Sequence, residues 1–200
     1  MDSSGSISRT NYLREKGFIN AVVESFGISK SQSRAALVLF SNSATVKIRF
    51  RDHDSTNSFK TAVDGLIHER GRTRIDRALQ VASREVFPFA RKGVHQIAFV
   101  ITDGEQTEES DTVDLKVASE PLRKAGVQVL ALGVGSGVNP AELRRIVERD
   151  EDVLIAKSFQ DLLERVGSLI KTICYLAGKR YNCFVRYLPY SRTTYYWNKS

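Results

Sequence analysis

The sequence predicts an α/β fold: a doubly wound, mostly parallel sheet with one antiparallel edge strand and helices on both faces. Three observations predict it. A continuous apolar run at 35–40, and largely apolar runs at 96–101 and 127–132, mark strands covered on both faces. Between them lie segments whose apolar residues recur at helical spacing. One further segment, 44–50, alternates strictly between apolar and polar residues, as a half-exposed edge strand does.

The elements follow in order. Asn11 to Phe26 reads as a helix, with Phe18, Val22 and Phe26 four apart on one face and Gly27 at its stop. The run Ala35 to Phe40 is a buried strand, and Ser41-Asn42-Ser43 turns the chain into the alternating strand Ala44 to Phe50. A polar loop leads to a short helix near Phe59 to Leu66. After the turn Gly71-Arg72-Thr73 comes a helix with Ile75, Leu79, Ala82 and Val86 on one face, stopped by Pro88. Gln96 to Ile101 is a buried strand that delivers Asp103 at its C-terminal end. An acidic loop, 105–111, precedes a helix with Leu115, Ala118, Leu122 and Ala125 on one face. Val127 to Leu132 is the next buried strand. Pro140 opens a helix bearing Leu143, Ile146 and Val147, Val153 to Ala156 is a short strand, and a closing helix turns Phe159, Leu162, Leu163, Val166, Ile170 and Ile173 inward.

Two hundred residues, 42% hydrophobic and 26% charged, suit one domain with a full core. No stretch has the roughly 18–20 apolar residues of a membrane span. The net charge of +7 is concentrated at the C-terminal end: Lys179, Arg180, Arg186, Arg192 and Lys199 lie in 175–200 with no acid among them. Without those five, 25 basic residues face 23 acidic ones, and the body is nearly neutral. Six of the seven tyrosines and the one tryptophan share that tail. Such a mixture can form a single-strand nucleic-acid surface, but a linker is the simpler reading, and no nucleic-acid partner is expected. The expected division is a domain over 1–174 and a basic, aromatic-rich tail over 175–200. Cys174 and Cys183 are too few for a disulfide scaffold; they allow one clip, or the pairing of one with a cysteine outside this chain.

The chemistry lies in Asp2-Ser3-Ser4-Gly5-Ser6, read with Thr73 and Asp103. Asp2, Ser4 and Ser6 alternate, so an extended-to-turn segment points all three the same way. Two carboxylates and three hydroxyls are hard oxygen donors suited to Mg²⁺ or Mn²⁺. The five positions resemble the metal-ion-dependent adhesion site of the von Willebrand factor A domain family, which includes integrin inserted domains and many matrix proteins. The resemblance covers residues 2–174 and implies a metal held by Asp2, Ser4, Ser6, Thr73 and Asp103. It also implies a ligand rim at Gly104, Glu105, Glu108 and Glu109. Arg72 stands where the family usually has glycine, and its long side chain is expected to extend into water. The family also carries an apolar strand before the first Asp. Only Met1 stands there, so the domain is expected to be N-terminally truncated, with a gap in the sheet.

The resemblance implies a secreted, extracellular-matrix, cell-adhesion module that binds a protein ligand through an acidic side chain. An intracellular assembly module is the alternative with the same site chemistry. A Mg²⁺-dependent enzyme of phosphoryl-transfer type is the other, but there is no phosphate-binding glycine loop with Lys, and His53, His68 and His95 are scattered. Gly133-Val134-Gly135-Ser136-Gly137 imitates a dinucleotide fingerprint, yet Val138 stands where its third glycine belongs. The chain is read as a binding module and not as an enzyme.

Overall fold

The computed structural model describes residues 1–176, with the side chains of 172–176 excepted. Helix α1 (Arg9–Phe26) is started by Ser8, whose hydroxyl accepts from the Asn11 amide, and ended by Gly27 at φ 67°. Strands β1 (Leu37–Phe40) and β2 (Ala44–Ile48) form an antiparallel pair. Helix α2 spans Thr56–Asp64, earlier than the apolar residues suggest, because Ser55 accepts from the Ser58 amide and fixes the start there.

Helix α3 (Ile75–Val81) passes into a π-helical turn, Ala82–Val86, and then a 3-10 turn, Phe87–Phe89, around Pro88. Strand β3 (Ile97–Thr102) pairs in parallel with β4 (Gln128–Val134), and β4 with β5 (Val153–Ala156). Helices α4 (Leu115–Lys124) and α5 (Pro140–Ile146) are capped by Asp114 and Asn139. Helix α6 (Phe159–Leu176) runs two residues past the domain boundary expected at 174. Cys183 and the rest of the tail, 177–200, lie outside the described residues, so neither a clip nor a tail structure is assigned.

Two apolar cores sandwich the strands. One joins α1 and α6 through Phe18, Val22, Phe159, Leu162 and Ile170 to Leu39, Ile101 and Leu132. The other joins α3, α4 and α5 through Leu79, Leu122 and Ile146 to Phe40, Val100 and Ala131. Strands buried on both faces explain the continuous apolar runs.

Among the described residues the sheet is in two parts, β1–β2 and β3–β4–β5, with no ladder between them. A cleft of about 1420 Å³ lies between, bordered by Met1, Val38, Phe99 and Val100 among others. Met1 to Ser3 enter at its upper end. Asp2 makes a parallel bridge with Phe40, the Phe40 amide donates to Met1 O at 3.1 Å, and the Ser3 amide to Phe40 O at 2.7 Å. Asp2 thereby sits level with the C-terminal end of β1, the edge at which Asp103 follows β3.

Candidate metal centre

The N-terminal segment is held from three sides. The Asp2 amide donates to Glu15 Oε1 of α1 at 3.0 Å. The Glu69 amide donates to Ser3 Oγ at 2.7 Å, and the Gly5 amide to Gly71 O at 2.7 Å. His68 Nε2 lies 2.8 Å from Ser4 O, its ring stacked on Tyr12 at 4.5 Å between centroids. These bonds fix the direction of the Ser4 and Ser6 side chains without using their hydroxyls.

Four of the five expected donors meet directly or through one neighbour. Ser4 Oγ and Ser6 Oγ are 2.8 Å apart, and Ser6 Oγ donates to Asp103 Oδ1 at 2.6 Å. Asp2 Oδ1 accepts from the Ser4 amide at 2.8 Å, and Asp2 Oδ2 from Thr102 Oγ1 at 2.6 Å. Thr73 closes the ring. A Cβ placed on Gly104 would lie 3.5 Å from both Ser6 Oγ and Thr73 Oγ1, so these hydroxyls flank the same residue. Asp2 and Ser4 are fully buried, Thr73 nearly so, and Ser6 is exposed, which gives the cluster one open side.

Burial raises the Asp2 carboxyl above its ordinary range, and nearby Asp103 adds to this against hydrogen bonds from Thr102 and Ser4. Burial likewise raises Asp103, opposed by Ser6. Glu15, buried with Oε2 unpartnered, is pushed well up by desolvation, with Asp2 and Asp103 contributing. Buried acids, with Asp103 raising Asp2 and both raising Glu15, mark a shortage of positive charge that a cation at the cluster would relieve. Among the described residues, no three His, Cys, Asp or Glu side chains are placed so that they alone could hold a metal ion. A cation here would therefore depend on the serine and threonine hydroxyls, and the donor set fits a hard divalent ion.

The rim divides. Glu105 and Glu108 are exposed. Glu109 turns back to pair with Arg72 and, at 2.7 Å, with Arg74. Arg72 keeps its side chain 59% exposed, as expected of an arginine that extends into water, and its guanidinium pairs with Glu109, 37 residues further along the chain. Arg74 is fully buried and forks onto Asp76 at 2.9 and 2.8 Å. Burial alone would raise the Asp76 carboxyl, but bonds from Arg74 and its neighbours hold it at about 2.

Thr102, Glu15, His68 and Arg74 were not singled out as site residues by the sequence. Thr102 precedes Asp103 directly, and its strand-end position beside a metal-type Asp is the one local signal. Glu15 and His68 reach the site only through the fold. The glycine run after β4 has a packing cause. A Cβ on Gly133 would meet Ile155 and Leu143 at 2.8 Å, and one on Gly137 would meet Asp103 O at 2.7 Å. Gly137 lets its loop press against the backbone of Asp103.

A family model for the von Willebrand factor type A domain matches residues 1–167. The chain belongs to that family. Mouse collagen alpha-6(VI) chain is 29% identical over 189 residues, covering 92% of this chain and 8% of that one. Mouse integrin alpha-M is 30% identical over 148 residues, covering 72% and 12%. Among solved structures, proximal thread matrix protein 1 from the mussel byssus superposes with a TM-score of 0.80 at 30% identity, covering 86% of this chain and 44% of that one. Another structure of that protein has a zinc-occupied MIDAS motif and matches with a TM-score of 0.79 at 31% identity. The domain thus spans a small part of the curated relatives it matches.

Proposed function

We propose that this type A domain is a divalent-cation-dependent adhesion module whose cluster of Asp2, Ser4, Ser6, Thr73 and Asp103 captures a carboxylate of a protein partner. The observation that carries the reading is the convergence of three hydroxyls and two desolvated carboxylates at one strand edge, open on the side of Ser6 and Asp103. Mg²⁺ or Mn²⁺ held there would offer a coordination position that prefers an anionic oxygen to water. Asp2 and Ser4 are fixed by backbone contacts and orient the inner side; Ser6 and Asp103 face the opening, with Thr73 buried behind them. Glu105 and Glu108, the free acids of the rim, favour partners with basic residues beside the captured acid.

The relatives include collagens, a cuticlin and an integrin, with a byssal matrix protein among the structures. They place the domain with extracellular matrix and cell-adhesion proteins. No described helix is long and apolar enough to cross a membrane. A binding role, rather than phosphoryl transfer, fits a cluster whose flanking arginines, Arg72 and Arg74 on either side of Thr73, are both paired with Glu109.

Isothermal titration of the chain with Mg²⁺ and Mn²⁺, beside Asp2→Ala, tests the site. Pull-down of matrix proteins with and without chelator tests the surface. Binding of a partner that survives both chelation and Asp2→Ala would assign the work to another face.

A further inference from the structure

We infer that Arg74 is a positioning residue of the metal centre: it locks the acidic loop 105–111 onto the turn carrying Thr73 and so sets Thr73 against Asp103. The inference rests on the metal-site reading above and adds a residue to it. A fully buried guanidinium costs several kcal/mol unless its donors are matched. Arg74 matches them with Asp76, with Glu109 at 2.7 Å, with Asp111 Oδ1 at 2.8 Å and with Asp111 O at 3.4 Å. Arg72 and Arg77 take the remaining oxygens of Glu109 and Asp111, so three arginines face three carboxylates.

Two of those carboxylates belong to the loop that begins at Asp103. The same loop is tied to the Thr73 turn at two more levels. The Thr107 amide donates to Thr73 O at 2.8 Å, and the Thr73 amide to Thr107 Oγ1 at 3.1 Å. Gln106 Oε1 accepts from the Ile75 and Asp76 amides at 2.8 and 3.3 Å. Arg74 offers no side-chain cap to α3, and the loop's Gln106 takes that place. Loop and turn form one unit with Arg74 at its centre. The hydroxyl of Thr73 is spared from all of these bonds; its backbone carries them. A change in the ion-pair cluster therefore reaches the site through the spacing of Thr73 and Asp103, without removing a donor.

Groups that orient metal-binding side chains typically carry about 10- to 100-fold in metal affinity. The test is Mn²⁺ titration of the full chain, with thermal melts in chelator. The double variant Glu109→Gln, Asp111→Asn removes the loop's charges where they are partly solvated and leaves the Arg74–Asp76 fork in place. We expect Mn²⁺ affinity to fall about 10-fold with little change in the chelated melt, and Arg74→Lys, which lacks the fork, to fall similarly. Combined with Thr73→Ala, the double variant should cost little more than Thr73→Ala alone, because it acts through that residue. Arg165→Gln, which breaks the remote pair with Asp161 on α6, should leave affinity unchanged. Unchanged Mn²⁺ affinity in the double variant, or losses that add fully to Thr73→Ala, would reduce Arg74 to a structural ion pair. A parent chain that binds no Mn²⁺ would overturn this inference together with the metal-site reading, whereas a binding parent with unaffected variants overturns this inference alone.

Discussion

At the scale of single residues, the site separates donors from the groups that aim them. Thr73 supplies a hydroxyl, while its amide and carbonyl hold the neighbouring loop. Thr73→Ala should therefore weaken Mn²⁺ binding about 10-fold and leave the chelated melt nearly unchanged, as titration and calorimetry would show. Asp76 is the opposite kind of residue. Its carboxyl is held at about 2, below the ordinary 3.8. A lowered carboxyl stabilises the fold fully above pH 3.8 and loses that contribution as pH falls through about 2, a loss of up to ~2 kcal/mol. Asp76→Asn should cost ~3 kcal/mol near neutral pH, because it leaves Arg74 without its fork. It should also flatten the acid limb of a urea-denaturation series run from pH 5 to 2. Of these residues, the sequence exposed the donors and hid the aimers. Asp2, Ser4, Ser6 and Asp103 stand in short spacings that strands and turns translate directly into direction. Glu15, His68 and Arg74 reach the site across helix and loop contacts that no local spacing encodes.

At the scale of elements, apolar runs and periodicity identified the strands and helices that place the site, because the central strands are covered by helices on both faces, the edge strand β2 alternates, and each helix buries one face. Boundaries moved where a side chain rather than an apolar face sets the end, as Ser55 does for α2. The extension of α3 into a π turn left its apolar face intact, so Ala82 still packs into the core of α3 and Val86 stays buried although the helix type changes there. The glycines after β4 were legible as special but not in purpose. Gly133 faces two side chains at 2.8 Å from any added Cβ, so Gly133→Ala should overpack the β4–α5 contact and cost about 1–3 kcal/mol, seen as a lowered melting temperature. Gly137→Ala meets backbone rather than side chain, at Asp103 O. Relief there requires Asp103 to shift, so this exposed-loop change should reduce metal affinity more than it reduces stability.

At the scale of the whole molecule, the donors are divided between the two parts of the sheet. Asp2 is bridged to Phe40 on the β1–β2 side, and Ser4 and Ser6 follow it. Asp103 continues from β3 in the other part, and Thr73 comes from the turn before α3. Across the cleft of about 1420 Å³ no strand ladder connects the parts. Near the site they meet through the Thr102–Asp2 and Ser6–Asp103 hydrogen bonds. A divalent cation held by both carboxylates would add a further link at that place and would offset the desolvation that raises Asp2 and Asp103. Its effect should therefore be global rather than confined to the loops. At 100 times the dissociation constant, binding to the folded state alone contributes about 2.7 kcal/mol, which for a domain of this size raises the melting temperature by about 5–10 °C. Hydrogen exchange should slow in both β1 and β3 when Mn²⁺ is added, since opening either part would break the shared coordination. Asp103→Ala should remove the melting shift and the added protection together. A rise in melting temperature with protection confined to residues 2–6 would mean that the ion is held from one side, and that the two parts of the sheet are coupled by their helices alone.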